Sequence, residues 1–219
     1  MEKNVDANVG TSPVSLPVVY VVDDDISVRE SLELLIRTAG WQPELFASAQ
    51  DFLCCPKCTS PSCIILDVKL PGLNGLDLQK QVAVDRSDMP IIFISGYGDV
   101  PSTVQAMKAG AVEFLTKPFS EETLLNAIRH ALERSQSVLA EQAALQDLRN
   151  RFDLLSRRER EVMTLVVRGL LNKQVAFELG ISEITVKAHR GRVMEKMEAR
   201  SFADLVMMAA KLPATPTKD

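Results

Sequence analysis

Four short apolar runs, each ending directly on a polar residue, constrain this chain most. The runs cover 18–22, 63–66, 91–94 and 112–116, and the residues that follow them are Asp23 and Asp24, Asp67, Ser95 and Lys117. Short apolar runs separated by helical patterns predict a parallel sheet. Because ligands bind outside the carboxyl ends of the strands in an open parallel sheet, we expect these side chains to converge. Three carboxylates, a hydroxyl and an ammonium group at one point predict a site for a hard cation and a phosphate.

Helical patterns lie between the apolar runs. Apolar residues recur at helical spacing near 27–39, 76–84 and 100–109, while a shorter helix is expected near 48–53 and a further strand near 44–46. Five strands that alternate with helices predict the α/β class. The first domain should therefore hold a doubly wound, five-stranded parallel sheet.

A helix without an evident end follows the last strand. No Gly or Pro occurs from Leu124 to Phe152, and apolar residues recur mostly every three, four or seven positions. This indicates one apolar stripe, which Ser135 and Gln142 interrupt. The stripe either pairs with a second copy or packs on its own domain, or the helix merely extends the first domain and frays. We expect the divisions to be a tail at 1–16, a first domain at 17–133, a helical linker at 134–153, a second domain at 154–212 and a tail at 213–219.

The second domain has the pattern of four short helices. Ser156 and Glu159 have the spacing of a capping box. Asn172 and Ser182 are expected as N-caps, with a tight turn at Gly180 between their two helices. The predicted helices begin near 156, 172, 182 and 201. Two short helices joined by a glycine turn, the second rich in cations, predict a helix-turn-helix within an all-α domain.

The helix that begins at Ser182 carries the cations of a DNA-reading helix. Ile184, Val193 and Met197 are predicted to face inward, so that Lys187 and Arg190 project outward. Lysine and arginine there can donate to guanine O6 and N7 in the major groove. The residues better placed for phosphates are Lys173, Thr185, Arg192 and Lys196. The next candidates for base contact are Thr185, Ala188 and His189.

Charge and hydropathy limit the partners. Residues 1–119 carry a net charge of −6 and residues 151–219 one of +4, which suits a cation site in the first domain and an anionic partner for the second. Residues 1–17 lack the basic start and apolar middle of a signal peptide. No apolar run reaches the roughly 18 residues that a membrane span needs. We expect a cytoplasmic protein without a membrane partner.

Four cysteines lie close together, at positions 54, 55, 58 and 63. Cys55 and Cys58 have the CxxC spacing of a zinc or redox pair, which leaves open a cysteine-based sensor coupled to the DNA-binding domain. A tetrahedral zinc site needs more ligands, and neither a second CxxC nor a histidine lies nearby in the sequence. We favour structural cysteines, with Cys63 buried in its strand. The sequence assigns no further role to Cys54, Cys55, Cys58 or Cys63.

The polar residues at the strand ends resemble those of a known family. Asp23-Asp24, Asp67, Ser95 and Lys117-Pro118 match, residue for residue, the receiver domain of two-component response regulators. Segments 95–101 and 106–111 look like the FixJ branch of that family, and segments 155–162, 172–176 and 179–190 look like the LuxR-type DNA-binding domain. Together the resemblances cover about residues 17–212. Tyr97, where the family more often has a histidine or a small polar residue, and the segment 54–58 depart from the pattern.

This resemblance implies phosphoryl transfer. Asp67 would accept a phosphoryl group from a phosphohistidine of a sensor histidine kinase, so that the protein is a phosphoacceptor rather than an enzyme, although it can autodephosphorylate. Asp24 and Asp67 would ligate Mg²⁺ directly, with the Lys69 backbone carbonyl as a third ligand and Asp23 acting through water. Lys117 would supply positive charge to the phosphoryl oxygens.

The resemblance also implies a switch. Ser95 would be drawn to the phosphoryl group and open space under Phe114, whose inward turn favours homodimerisation through parts of 104–109 and 112–116; the alternative for Phe114 is a plain core aromatic. A dimer would place two helix-turn-helix units on promoter DNA and regulate transcription, as an activator that acts with RNA polymerase. A different reading is a DNA binder that works without phosphorylation, its first domain serving only to dimerise or to sense another ligand.

Overall fold

The computed structural model describes residues 16–96 and 100–212. It divides into two compact units, residues 1–139 and 140–219, which are described separately. Tyr97 and the two predicted tails, apart from Leu16, lie outside the described residues.

The first unit is a five-stranded parallel sheet with helices between its strands. Its elements are β1 (Val18–Val22), α1 (Ile26–Thr38), β2 (Gln42–Phe46), α2 (Ala49–Leu53), β3 (Ser62–Asp67), α3 (Gly75–Asp85), β4 (Ile91–Ser95), α4 (Val100–Lys108), β5 (Glu113–Thr116) and the first part of α5 (Glu121–Asp153). The strands lie in the order β2-β1-β3-β4-β5, and every pairing is parallel. The predicted α/β class and the five-stranded doubly wound sheet are therefore confirmed.

The strands are continuous apolar runs because both faces of the sheet are covered. All five residues of β1 and of β4 are buried, as expected for parallel strands packed on both sides. Successive residues alternate between two cores: Tyr20 and Ile64 belong to one cluster, and Val21 and Ile65 to the other. The carboxyl ends of the strands stay clear of these cores, so polar side chains can collect there.

The start of α1 is set by Asp25. Its carboxylate accepts a hydrogen bond from the Ser27 backbone N–H at 2.8 Å, and its backbone is extended. This is N-cap geometry. Asp25 therefore begins a helix, and it does not join the neighbouring Asp23 and Asp24 in the carboxylate cluster described below.

The first part of α5 packs on the sheet through a stripe that includes a polar residue. Leu124, Ile128 and Ala131 are buried. Ser135 is buried as well, and its hydroxyl accepts a hydrogen bond from the Ser62 backbone N–H at 3.0 Å. The interpretation that Ser135 weakens the stripe is wrong, because the hydroxyl satisfies a buried strand-end donor that no apolar side chain could satisfy. The first compact unit extends along α5 as far as Leu139.

The second unit is the predicted set of four helices, preceded by the last turns of α5. They are α6 (Arg157–Val167), α7 (Asn172–Leu179), α8 (Glu183–Lys196) and α9 (Phe202–Lys211). Ser156 and Glu159 form the expected capping box, and Gly180 adopts φ of +64° in the turn between α7 and α8. Leu171, not Asn172, is the N-cap of α7; the Asn172 side chain accepts a hydrogen bond from α8 instead.

Candidate functional site

The carboxyl ends of β1, β3, β4 and β5 bring the predicted polar residues of the first unit to one edge of the sheet. Asp23 and Asp24 follow β1, and Asp67 ends β3. One carboxylate oxygen from each of the three lies within 4.8 Å of the other two. Within the described ranges, 16–96 and 100–212, this is the one such group of potential metal ligands. The strand order places β1 beside β3, which explains why residues 43 positions apart in sequence meet.

Asp23 is the most constrained of the three acids. It is fully buried, and its Oδ1 accepts a hydrogen bond from the Asp25 backbone N–H at 2.9 Å. Its backbone carbonyl accepts one from Arg29 Nη1 at 2.6 Å. Lys117 Nζ donates to Asp23 Oδ2 at 3.0 Å and lies 3.8 Å from Asp67 Oδ2. Lys117 therefore bridges two of the carboxylates at the place predicted for it.

Asp67 sits in an electrostatic environment that disfavours its charge. Burial raises the pKa of its carboxyl above the ordinary value, and the neighbouring Asp23 and Asp24 charges raise it further, while Lys117 and the Lys69 backbone N–H lower it. That N–H donates to Asp67 Oδ1 at 3.3 Å. The balance leaves the anionic form of Asp67 short of positive partners.

The carboxylate cluster fits Mg²⁺. Its donors are all oxygen, which suits a hard divalent ion, and Mg²⁺ is bound by one or two carboxylates plus water and phosphate oxygens. Burial, and after it the charges of Asp23 and Asp24, raise the pKa of Asp67, and a bound cation would offset both effects. The described cysteines take no part in such a group: all four are free. Cys63 is buried, as predicted, and burial and then Glu44 raise the pKa of the Cys55 thiol.

Ser95 and Phe114 occupy neighbouring strands next to the cluster. Ser95 ends β4 and is buried, and its carbonyl accepts a hydrogen bond from the Lys117 backbone N–H at 2.8 Å. Phe114 in β5 is half-buried and packs on Phe93, with ring centroids 6.0 Å apart.

Gly75 is a site residue that the sequence reasoning did not identify. A Cβ built at this position would overlap the carbonyl oxygen of Asp67, and the Gly75 N–H donates to the Val68 carbonyl at 3.1 Å. The start of α3 therefore touches the end of β3 directly behind the carboxylate. The sequence signal was present in the turn at 71–75, since an isolated glycine often marks close backbone approach.

In the second unit, α8 presents Lys187 and Ala188 to solvent, whereas His189 and Thr185 are half-buried. The prediction that Ile184 faces inward is wrong, because its side chain is 80% exposed. Val193 and Met197 are buried as expected. His189 Nδ1 is buried without a hydrogen-bond partner among the described residues.

Arg190 and Lys196 are engaged within the domain. Arg190 Nη1 donates to Asn172 Oδ1 at 2.6 Å, and its guanidinium lies 5.3 Å from the centre of the Phe202 ring. The expectation that Arg190 projects outward beside Lys187 is therefore wrong. Lys196 Nζ donates to the buried Glu159 carboxylate at 2.7 Å and to the Leu154 carbonyl at 3.1 Å, so two of its three N–H groups are used within the domain. The remaining predicted phosphate contacts that are fully exposed are Lys173 and Arg192.

Comparisons with known proteins assign a family to each of the two units. Residues 19–129 match the family described as the response regulator receiver domain, and residues 153–209 match the luxR family of bacterial regulatory proteins. Nodulation protein W of Bradyrhizobium diazoefficiens is 51% identical over 195 residues, which cover 89% of this chain and 86% of that protein.

Two solved structures extend the likeness over both units. A low-resolution structure of the response regulator StyR has a TM-score of 0.81 and 45% identity, covering 90% of this chain and all of that chain. Full-length FixJ from B. japonicum has a TM-score of 0.54 and 42% identity, covering 89% of this chain and 96% of that chain. In the part of the chain that the structure describes, none of the helices has both the length and the apolar character needed to cross a membrane. The chain belongs to the two-component response regulators, in which a receiver domain is joined to a LuxR-type helix-turn-helix domain that regulates transcription.

Proposed function

We propose that this response regulator accepts a phosphoryl group on Asp67 from a sensor histidine kinase. The observation that supports this most directly is the convergence of three carboxylates with Lys117 bridging Asp23 and Asp67. Membership of the family implies a histidine kinase and DNA as partners. The protein's own part in the chemistry is that of a phosphoacceptor and not of an enzyme with a separate substrate.

The transfer is a displacement at phosphorus. An Asp67 carboxylate oxygen attacks, a P–O bond forms, the P–N bond to the kinase histidine breaks, and the nitrogen leaves with the electron pair. Asp24, Asp67 and the Lys69 carbonyl would hold Mg²⁺ directly and Asp23 would hold it through water, and the ion would supply positive charge to the phosphoryl oxygens. Lys117 adds a second positive charge and Ser95 a hydrogen bond at the same oxygens. Attack by water on the phosphorus of the acyl phosphate later breaks its P–O bond to Asp67, which releases inorganic phosphate and returns the free carboxylate.

Phosphorylation then changes the neighbouring surface. The modification adds a charge of about −1.5 to −2, which draws Lys117 and the Ser95 hydroxyl toward Asp67. Phe114, half-buried on Phe93, takes the space that Ser95 leaves. The face formed by α4 and β5 then pairs with a second copy; Val104 and Met107 on α4 are partly exposed there and available for burial.

The dimer acts on promoter DNA through α8. The exposed Lys187 donates to base edges in the major groove, while Lys173 and Arg192 contact phosphates. Two helix-turn-helix units read two half-sites, and the bound dimer activates transcription by contact with RNA polymerase. A protein that binds the chromosome in this way works in the cytoplasm.

Intact-mass spectrometry with acetyl phosphate and Mg²⁺ tests the phosphoacceptor. Wild type should gain one phosphoryl mass, and Asp67→Asn should gain none, because the amide is not a nucleophile. Asp25→Asn is the matched control: it lies beside the cluster but caps α1, a role that asparagine fills equally well. Full phosphorylation of Asp67→Asn would show that another residue accepts the group.

Sedimentation and DNA binding, each with and without phosphoryl donor, test the switch. Phosphorylated protein should be more dimeric and should bind its operator more tightly. Identical sedimentation and identical affinity in both states would instead favour a DNA binder that works without phosphorylation.

A further inference from the structure

The burial pattern of α8 leaves one continuous exposed face. Val186, Val193 and Met197 are buried in the core of the second unit. The exposed residues on the opposite side have the spacing i, i+3, i+4 and i+7 of a single helix face. These residues, called the α8 face below, are Ile184, Lys187, Ala188 and Gly191.

Ile184 stands in the first turn of this face. Its side chain is 80% exposed, two residues after the N-cap Ser182, whose hydroxyl accepts from the Thr185 N–H at 3.1 Å. A single exposed apolar side chain is ordinary on a protein surface and indicates nothing by itself. The position matters here, because a helix-turn-helix places the N-terminal residues of its second helix against base edges.

Gly191 is an independent indication that the α8 face meets another surface closely. A glycine inside a helix destabilises it relative to alanine. A Cβ at Gly191 would have no atom within 4 Å, so packing among the described residues does not require the glycine. With no side chain at 191 and a single methyl at Ala188, the helix backbone can approach a neighbour closely, and Ile184 and Lys187 are the side chains that protrude.

Exposed carboxylates on α8 affect which part of the helix can approach DNA. Glu195 is exposed about one turn beyond Gly191, near the end of α8. A carboxylate is repelled by phosphates and by most acceptor-rich base edges. Glu183 is exposed in the first turn as well, so charge alone does not select one end of α8. The docking of a helix-turn-helix, which directs the N-terminal residues of its second helix to base edges, favours the first turns, where Ile184 and Lys187 lie.

We propose that Ile184 reads sequence by packing on the C5-methyl group of a thymine. That methyl is the apolar mark which the major groove offers, and an aliphatic side chain can recognise it without a hydrogen bond. Ile184 precedes Lys187 by three residues, or about 4.5 Å along the helix axis. Base pairs are stacked about 3.4 Å apart, so the thymine lies within one or two base pairs of the pair that Lys187 contacts. The inference rests on the proposed docking of α8 in the major groove.

Single thymine-to-uracil replacements in the operator test this, because uracil lacks only the methyl group. The operator is selected from random DNA with full-length phosphorylated wild type, and affinity is measured for each replacement. At one thymine position in each half-site, replacement by uracil should weaken wild-type binding about fourfold, as expected for the loss of one buried methyl group. Ile184→Ala should bind the thymine operator more weakly than wild type and should no longer distinguish thymine from uracil at that position.

Phe177→Ala is the matched control. Phe177 is 87% exposed but lies on α7, away from the α8 face, so this variant should keep the wild-type preference for thymine. Melting temperatures confirm that both variants are folded, which the exposure of the two side chains leads us to expect.

Two results would overturn the proposal. If wild type binds every uracil-substituted operator as tightly as the thymine operator, the protein makes no methyl contact. If Ile184→Ala weakens binding but keeps the wild-type preference for thymine, Ile184 has another role. Failure of the docking itself would look different: Lys187→Ala and Ile184→Ala would both bind all operators as wild type does.

Discussion

Replacing Lys196 by methionine should destabilise the second unit, because its ammonium group neutralises a buried carboxylate. Glu159 is 3% exposed, and Lys196 Nζ lies 2.7 Å from its Oε2 and 3.1 Å from the Leu154 carbonyl oxygen. Burial by itself raises the pKa of Glu159. The hydrogen bonds from Lys196 and from the Ser156 backbone and hydroxyl outweigh burial and lower the pKa to about 2 from its ordinary 4.5.

The size of the effect follows from that pKa. The difference between 4.5 and about 2 corresponds to about 3 kcal/mol of folding free energy at neutral pH, because a tenfold change in proton affinity is worth about 1.4 kcal/mol. Ser156 supplies part of this, and the Lys196 side chain is 36% exposed, so solvent screens its charge. We therefore expect Lys196→Met to cost about 1–2 kcal/mol.

Urea denaturation of the full chain can separate the two units. Trp41 is the only tryptophan and packs against the core of the first unit, so its fluorescence follows that unit, while far-UV circular dichroism follows both. Lys196→Met should shift the dichroism transition of the second unit and leave the Trp41 transition unchanged. Lys173→Met, which removes an exposed cation from α7, should shift neither.

The pH dependence has a definite sign. Because the folded pKa of Glu159 is depressed, its contribution is present above about 4.5 and is lost as the pH falls toward 2. The destabilisation by Lys196→Met should therefore be largest near neutral pH and should shrink as the pH falls from about 4.5 toward 2, where Glu159 becomes protonated in wild type as well. A stability curve for Lys196→Met that superimposes on that of wild type from pH 2 to 7 would refute the reasoning, as would a double-mutant cycle with Glu159→Gln that shows no coupling.

The ion pair also predicts that Lys196→Met leaves the salt slope of DNA binding unchanged, whereas a lost phosphate contact would reduce that slope by about 1.

Four further outcomes follow from the same contacts. Asp24→Asn should weaken Mg²⁺ binding roughly tenfold or more in calorimetric titration, since an anionic ligand is lost; unchanged affinity would remove Asp24 from the site. Asp67→Asn should raise the melting temperature of the first unit at neutral pH without Mg²⁺, because a raised pKa of Asp67 means that its charge opposes folding. An unchanged or lower melting temperature would contradict the upward shift of that pKa. Gly75→Ala should slow phosphorylation by acetyl phosphate by displacing the Asp67 backbone, and wild-type rates would show that the loop absorbs the methyl group. Arg190→Lys should destabilise the second unit by about 1 kcal/mol, because lysine cannot both stack on Phe202 and donate as a planar fork. Altered base preference without destabilisation would show instead that Arg190 contacts bases.

The strands and the polar cluster at their ends were predictable from local pattern. A parallel strand covered on both faces is a continuous apolar run, so β1, β3 and β4 stand out in the sequence. The rule that ligands bind at the carboxyl ends then placed Asp23, Asp67 and Lys117 together. Caps such as Asp25 and Ser156 were also predictable, because a cap bonds to an amide only two or three residues away.

Contacts between distant segments were not predictable in this way. Periodicity assigned Ile184 to the buried side and Arg190 to the exposed side, yet the packing of α8 on its neighbours reversed both. The partner of Lys196 lies 37 residues earlier and that of Ser135 lies 73 residues earlier.

The amino-acid order alone therefore specified the elements, their class and the edge of the sheet at which chemistry gathers, since those depend on short-range spacing and on which side chains avoid water. The partner of each long polar side chain emerged only with the folded arrangement. A lysine or an arginine on the flank of a helix can reach either solvent or a neighbouring helix, and the choice depends on where a buried carboxylate, an amide oxygen or an aromatic ring has been brought by the rest of the chain.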